Sequence, residues 1–175
     1  MRPSPARWLP PGLDVVTRRY DAGRFAIRCF QARDPSALAD AVDPASFAKD
    51  ERFPYWSEVW VSSLALARFL SRRRLTGLPA VELGCGTGLS GVAAALAGAD
   101  VLFTDYEREA LALARANHEL NLGRPGRVRA FDWREPPRGL SLPLVIASDV
   151  LYETRFLGPF LGALRGLLAP GGTAW

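Results

Sequence analysis

The second half of the chain alternates between short apolar runs and helical segments, and this alternation constrains the fold more than any other feature. PAVEL, VLFTD, VRAFDW and LPLVIASDV have the composition of strands, and GGTAW begins a fifth. Helical patterns lie around LSGVAAALAGA, EREALALARANHELNLG and residues 154–168. Strands joined through helices pair in parallel, so we predict an α/β fold with helices on both faces of a parallel sheet.

The first part of the chain follows a different pattern. Residues 14–33 hold two runs of strand formers around the letters DAG, which predict a β-hairpin. Proline and arginine are frequent before this hairpin, and only short helix-like pieces follow it. A longer amphipathic helix is then predicted within residues 53–75. We therefore divide the chain into an N-terminal arm and hairpin region, residues 1–52, and an α/β domain, residues 53–175.

Charge and cysteine content argue against several classes of protein. The net charge is +4, from 22 basic and 18 acidic residues, which is too small an excess to indicate nucleic-acid binding. Cys29 and Cys85 lie far apart and lack the spacing of metal ligands, so no metal site is predicted. The sequence has no apolar run of membrane-spanning length and no signal segment at its start. We expect a cytoplasmic protein with neither a membrane nor a nucleic-acid partner.

The segment VELGCGTGLSG, residues 81–91, lies between a predicted strand and a predicted helix and fits two motifs. G-x-G-x-x-G from Gly86 is the dinucleotide-binding pattern, whereas G-x-G-x-G from Gly84 follows an acid, Glu82. In either register the backbone N–H groups can approach a ligand closely, because glycine has no Cβ. Asp105, at the end of the next strand, is placed to accept hydrogen bonds from ribose hydroxyls. Together these features predict an adenosine-containing cofactor, either NAD or S-adenosylmethionine.

The register from Gly84 resembles motif I of class I methyltransferases, E/D-x-G-x-G-x-G. PYWSEVWVSSLALARFL, FDW and ASDVLYE are similar to segments of the seven-strand protein-lysine methyltransferases, and especially to bacterial relatives of the electron-transfer-flavoprotein beta-subunit lysine methyltransferase. The resemblance runs from about residue 53 to the end. It implies a Rossmann-like class I methyltransferase fold with S-adenosyl-L-methionine as the cofactor.

The resemblance also implies roles for single residues. The glycine loop would cradle the methionine part, Asp105 the ribose and Trp133 the adenine, while Asp149 and Tyr152 of the D-x-x-Y element would face the substrate. The implied cofactor-binding residues are Trp60, Glu82, Gly84, Cys85, Gly86, Thr87, Gly88, Asp105, Tyr106, Asp132, Trp133 and Ser148. Structural alternatives stay open, since Trp60, its nearby alternative Trp56 and Trp133 could be core residues and the D-x-x-Y pair could cap a helix.

We therefore expect an S-adenosylmethionine-dependent N-methyltransferase with a protein lysine as its first candidate acceptor. A small amine or another protein side chain is an alternative acceptor. A module that binds cofactor or a partner without catalysis is a further alternative, as is an NAD-dependent oxidoreductase.

Several expectations concern packing. The family has seven strands and this sequence stops in the fifth, so we expect a C-terminally incomplete fold whose open sheet edge could pair with a second copy. Gly91 is interpreted as a close-packing position in a helix. His118 is expected at the surface, and Asn117 and Asn121 are expected to help end their helix near Gly123.

Overall fold

The structure is a computed structural model that describes residues 4–42, 53–135 and 139–175. Its strands are β1 Val15–Ala22, β2 Phe25–Ala32, β3 Pro79–Leu83, β4 Asp100–Asp105, β5 Arg127–Ala130, β6 Leu142–Ala147 and β7 Leu168–Ala174. Its α-helices are α1 Pro35–Asp40, α2 Val61–Ser71, α3 Leu89–Leu96, α4 Arg108–Leu122 and α5 Thr154–Leu167. Single 3₁₀ turns occupy Pro5–Trp8 and Tyr55–Ser57. The division expected between residues 52 and 53 borders residues 43–52, which lie outside the described part.

Strands β3 to β7 form one sheet in the order β5-β4-β3-β6-β7. Every neighbouring pair in this sheet is parallel, which confirms the predicted α/β class. From β3 the chain moves outward through β4 to β5, and it then returns to the other side of β3 as β6. The loops after β3 and β6 therefore diverge from adjacent strand ends and leave a crevice between them, as in other doubly wound sheets.

Successive side chains of a strand point to opposite faces of the sheet, so the core has two layers. Ala80 and Ile146 lie in a cluster with α2 and α3, whereas Val81 and Val145 lie in a second cluster with Leu167 of α5. Since both faces of these strands are covered by helices, their inner positions, 80–83 and 144–146, are all buried. This explains why the strands are read in the sequence as continuous apolar runs rather than alternating ones.

The predicted hairpin is confirmed as β1 and β2, which pair in antiparallel register around the two-residue turn Gly23-Arg24. Gly23 has a φ of +73°, which suits glycine in such a turn. The Arg68 side chain donates to the Asp21 carbonyl at 2.9 Å and so attaches the turn to α2. Ala22 and Ile27 are fully buried in the same cluster as α2 and α3. The hairpin thus contributes to the core of the α/β layers.

The last strand begins earlier than the sequence predicts. GGTAW was expected to begin it after a helix over residues 154–168, but β7 starts at Leu168 and contains Pro170 and Gly171. Leu142 pairs with Leu168 and Leu144 with Thr173, so the intervening residues form a bulge that lets the strand accommodate the proline.

His118 is not at the surface, because the helical period of α4 turns it inward. It is only 3% exposed, and its Nδ1 lies 2.8 Å from the Arg124 carbonyl. Burial lowers the pKa of His118 below its usual value. Its ring meets Phe103 edge-on with a centroid separation of 5.8 Å. The residue therefore packs α4 against β4.

Gly91 is explained by close packing. A Cβ built on Gly91 would touch the Glu82 carboxylate and lie 2.5 Å from the Phe103 ring. We expect Gly91→Ala to lower the free energy of unfolding by about 1–3 kcal/mol, despite the better helix propensity of alanine. Denaturant unfolding measures this change.

The matched control for this prediction is Gly162→Ala in α5, where a Cβ would have no neighbour within 4 Å. That variant should gain up to about 1 kcal/mol from helix propensity alone. If both variants were stabilised equally, the close-packing explanation of Gly91 would be incorrect.

Candidate functional site

A pocket opens at the carboxyl ends of β3, β4 and β6, at the point where the strand order reverses. Its walls come from the loop after β3, the segments that follow β4, β5 and β6, and the 3₁₀ turn before α2. The lining residues are Phe53, Tyr55, Trp56, Glu58, Trp60, Ser63, Gly84, Cys85, Gly86, Thr87, Asp105, Tyr106, Glu107, Phe131, Trp133, Ser148, Asp149, Val150 and Tyr152.

The glycine loop, residues 84–88, can form this wall because three of its positions need glycine. Gly84, Gly86 and Gly88 have φ of +62°, +49° and +78°, a region that side chains disfavour. A Cβ at Gly84 would lie 2.8 Å from Val150 Cγ1 and 3.2 Å from the Trp133 ring. The loop therefore packs against the segments after β5 and β6 at a distance that only glycine allows.

Asp105 fastens the loop to the start of α4. Its carboxylate accepts a 3.0 Å hydrogen bond from the Gly86 N–H and another 3.0 Å bond from the Glu107 N–H. Burial raises the pKa of Asp105 to about 6, although these backbone N–H groups oppose the rise. At neutral pH the carboxylate is mostly charged. With two bonds made, it retains lone pairs for a ligand hydroxyl.

Glu82 lies behind the loop rather than in the pocket. Its side chain is 2% exposed, and Oε2 has no hydrogen-bond partner among the described residues. Burial raises the pKa of Glu82 to about 8, with the Asp105 charge acting in the same direction and the Gly91 N–H opposing it. The carboxyl group is therefore mostly protonated at neutral pH.

Three exposed aromatic side chains, Tyr55, Trp60 and Tyr152, stand at the opening, and we call them the aromatic mouth. The Tyr55 ring meets Tyr152 at 5.3 Å and Trp60 at 5.9 Å between centroids. The Trp60 Nε1 group donates to the Tyr55 carbonyl at 2.8 Å, which fixes the indole. Their exposed fractions of 39% to 51% are high for large aromatics, as expected of a binding surface.

Asp149 sits beside this mouth in an unusual backbone conformation. Its φ of +54° is the one left-handed value for a non-glycine residue in the described segments, a feature that often marks functional positions. The Ser62 hydroxyl, at the start of α2, donates to Asp149 Oδ2. The side chain is therefore held by a helix that belongs to another wall of the pocket.

Most of the predicted site residues meet in this pocket: Trp60, Gly84, Cys85, Gly86, Thr87, Asp105, Tyr106, Trp133, Ser148, Asp149 and Tyr152. Glu82 lies behind the loop, and Gly88, the last residue of the loop, faces α4 instead of the pocket, where a Cβ would be 2.9 Å from the Ala114 Cβ. Asp132 borders a smaller adjacent cavity and pairs with Arg134. Cys85 is buried, and burial raises its thiol pKa well above the usual value, so it is not an activated nucleophile.

Sequence reasoning missed other lining residues: Phe53, Tyr55, Glu58, Ser63, Glu107, Phe131 and Val150, and it ranked Trp56 below Trp60. The Trp56 backbone lies 3.5 Å from the Cβ position of Gly86. Glu107 and Val150 lie next to predicted site residues in the sequence, and this proximity could have identified them. The segment before α2 was singled out by its resemblance, but that resemblance implied a role only for Trp60, and the contact of Trp56 with the loop forms only in the folded chain.

The pocket is acidic although the chain carries a net positive charge. Its lining contains four carboxylates, from Glu58, Asp105, Glu107 and Asp149, and no lysine or arginine among the described residues. Across the described part of the chain, no cluster of His, Cys, Asp and Glu is arranged to hold a metal ion. Among residues 4–42, 53–135 and 139–175, no helix is long and apolar enough to cross a bilayer. The site thus presents negative charge and aromatic faces.

Most of the chain matches the sequences of known proteins. A family described as lysine methyltransferase matches residues 48–173. EEF1A lysine methyltransferase 3 of Mus musculus is 33% identical over 125 residues, which cover 68% of this chain and 53% of that protein. Protein N-lysine methyltransferase METTL21A of Mus musculus is 37% identical over 103 residues, which cover 54% and 47%. The chain therefore spans about half the length of these curated relatives.

The fold is also that of solved methyltransferases. The ribosomal protein L11 methylase from Lactobacillus delbrueckii subsp. bulgaricus superimposes with a TM-score of 0.56 over 67% of this chain and 60% of that chain. At 22% identity this similarity concerns the fold alone. It confirms the predicted Rossmann-like class I arrangement.

Glu82 makes folding stability depend on pH in a direction that can be tested. The pKa of Glu82 in the folded chain, about 8, lies above the value of 4.5 expected in the unfolded chain. The stability that the protonated group contributes to the fold is therefore complete below pH 4.5 and is lost as pH rises through 8. Glu82→Gln removes this titration. We expect the variant to gain stability relative to the wild type between pH 5 and pH 8, by at most about 1.4 kcal/mol per pH unit.

Urea unfolding of both proteins at several pH values measures this difference. Glu109→Gln, at an exposed position in the first turn of α4, is the control and should show no comparable trend. A pH-independent difference between Glu82→Gln and the wild type would contradict the prediction.

Proposed function

Because the chain belongs to the lysine methyltransferase family, we propose that it binds S-adenosyl-L-methionine in this pocket and methylates a lysine side chain of a protein. The names of the relatives support the protein acceptor, while the pocket itself supports the kind of cofactor. The chain covers only about half the length of those relatives. The activity proposed for it is therefore argued from the site.

The acidic lining of the pocket is the observation that carries this proposal. Four carboxylates and no described lysine or arginine surround the space beside the glycine loop. Such a lining favours a cationic ligand, and both a sulfonium and a lysine ammonium are cations. Asp105 suits the ribose of either cofactor, whereas the Glu58 and Asp149 carboxylates of the lining would repel the two pyrophosphate charges of a dinucleotide, which disfavours the NAD-dependent alternative.

The residues present fit S-adenosyl-L-methionine. The loop at Gly84 to Gly88 would cradle its methionine part, Asp105 would accept from its ribose hydroxyls, and Trp133 would flank its adenine. The Trp133 ring is already fixed edge-on against Phe160, with centroids 5.6 Å apart. When bound, the cofactor supplies an electrophilic methyl group on a sulfonium that leaves as a neutral thioether. No acid is needed for that departure, so the protein's task is alignment and exclusion of water.

The aromatic mouth and Asp149 would receive the lysine. A lysine amine has an unperturbed pKa of about 10.4 and must lose its proton before it can act as a nucleophile. Desolvation between Tyr55, Trp60 and Tyr152 lowers that pKa, whereas the Asp149 carboxylate raises it. We therefore assign Asp149 the role of orienting the amine and accepting its proton as the reaction proceeds. The pKa of Tyr152 is raised, chiefly by burial, so its hydroxyl stays protonated and can donate a hydrogen bond.

Calorimetric titration tests the cofactor proposal directly. We expect S-adenosylhomocysteine to bind the chain and NADH to show no heat of binding. Asp105→Asn keeps the size of the side chain but removes its charge, and it should weaken S-adenosylhomocysteine binding roughly tenfold or more. Binding of NADH with the tighter affinity would overturn the proposal.

Transfer assays test the acceptor. A radiolabelled methyl donor is incubated with the chain and a cell lysate, and labelled bands are analysed by mass spectrometry. Label on lysine residues of a protein supports the proposal, whereas label confined to small molecules would transfer the activity to another acceptor class.

The role of Asp149 predicts a separation between binding and transfer. Asp149→Asn tolerates the left-handed backbone and keeps the contact with Ser62, but it removes the charge. We expect transfer to fall by roughly 100-fold or more, with the dissociation constant of S-adenosylhomocysteine unchanged. Ser62→Ala is the comparison variant, and it should lower transfer less because the carboxylate remains. Full transfer by Asp149→Asn would refute the assignment.

A further inference from the structure

We propose that Asn117 is a positioning residue for the glycine loop. Through Asn117, the β1–β2 hairpin would help to hold the loop in the shape that the site needs. Its effect on cofactor binding rests on the proposed function, whereas its effect on the shape of the loop does not. Nothing in the sequence motifs points to this residue, which was expected only to help end its helix.

Two asparagines of α4 replace the missing neighbour of an edge strand. Asn117 accepts from the Phe30 N–H at 2.6 Å and donates to the Phe30 carbonyl at 3.0 Å. Asn121 accepts from the Arg28 N–H at 2.9 Å and donates to the Arg28 carbonyl at 2.7 Å. Each side-chain amide thus pairs with both backbone groups of one residue of β2.

The spacing of the two elements explains why both pairs form together. Four residues of α-helix rise about 6 Å, and two residues of strand rise about 6.6 Å. Asn117 and Asn121 are four apart on α4, while Phe30 and Arg28 are two apart on β2. In an antiparallel pair, such alternate residues direct their N–H and C=O groups away from the partner strand. The helix therefore satisfies the outer edge of β2.

Asn117 goes further, because it also holds the glycine loop. Its Nδ2 donates to the Thr87 carbonyl at 2.8 Å and lies 3.1 Å from the Cys29 sulfur. The side chain is fully buried. Since an amide nitrogen has two hydrogens, the Phe30 and Thr87 carbonyls account for both donors. One side chain therefore ties the carbonyl of a pocket-lining residue to the hairpin.

Asn121 offers a matched control within the same helix. It makes the same two-bond pairing with β2, and its Nδ2 also donates to the Asn117 carbonyl at 2.7 Å. Within the described residues its hydrogen bonds thus reach the hairpin and α4 but not the loop. Removing either asparagine should loosen the hairpin, whereas only removal of Asn117 should release Thr87.

Hydrogen exchange of the ligand-free protein, followed by mass spectrometry, tests the positioning role without any cofactor. We expect Asn117→Ala to speed exchange at least tenfold in peptides covering residues 84–88 as well as in β2. Asn121→Ala should speed exchange in β2 and leave the loop within twofold of the wild type. Equal protection of the loop in both variants would overturn the proposal.

Both substitutions are expected to lower the thermal midpoint, so stability alone does not distinguish them. Affinity does: S-adenosylhomocysteine should bind Asn117→Ala at least tenfold more weakly than the wild type and Asn121→Ala within twofold. Equal weakening in both would count against a special role for Asn117. If Asn117→Ala does not fold, Asn117→Ser, which leaves a smaller cavity and a hydroxyl, enters the same comparison.

The two proposals fail in different ways. A wild-type chain that does not bind S-adenosylhomocysteine would overturn the proposed function, and the exchange comparison would still decide the positioning role. Normal binding by the wild type combined with unchanged loop exchange in Asn117→Ala would overturn the positioning role alone.

Discussion

The site depends on how closely the glycine loop can approach the segments around it. Gly84 lies against Val150 and the Trp133 ring at distances that leave no room for a Cβ. The Asp105 carboxylate then binds the Gly86 N–H and the start of α4 together. Because three strand ends converge at this point, a displaced loop would separate the walls of the pocket. The close approach therefore determines whether the acids and aromatics face one space.

The local pattern of the sequence was enough to predict the strands and helices of the sheet. PAVEL corresponds to β3 residue for residue, since its two buried faces make the apolar run continuous. β7 was predicted less well, because the bulge that admits Pro170 depends on pairing with β6. His118 was expected at the surface and Asn117 in the end of its helix, because polar residues in a helix indicate solvent or a helix end by default. Here the partners of these side chains are backbone groups outside the helix.

The charge of the pocket could not have been predicted from composition. Glu58 precedes α2, Glu107 precedes α4 and Asp149 follows β6, so the three acids come from separate parts of the sequence. Only the convergence of parallel strand ends brings them together, and no lysine or arginine of the described residues lines the pocket with them. The glycine motif predicted an adenosine ligand but allowed two cofactors. The negative charge that these acids share favours the cationic cofactor, S-adenosylmethionine. Neither register of the motif could decide between the two cofactors alone.

The groups that support the loop from behind differ in charge from those that face the pocket. Glu82 and Asp105 are buried near each other, and the two pKa values separate, to about 8 and about 6. Near neutral pH, Glu82 is therefore mostly neutral while Asp105 is mostly charged, which avoids burying two adjacent negative charges. Asn117 is neutral as well. The groups behind the loop are thus uncharged, whereas the charged Asp105 binds the loop from the pocket side, where a cationic ligand would bind.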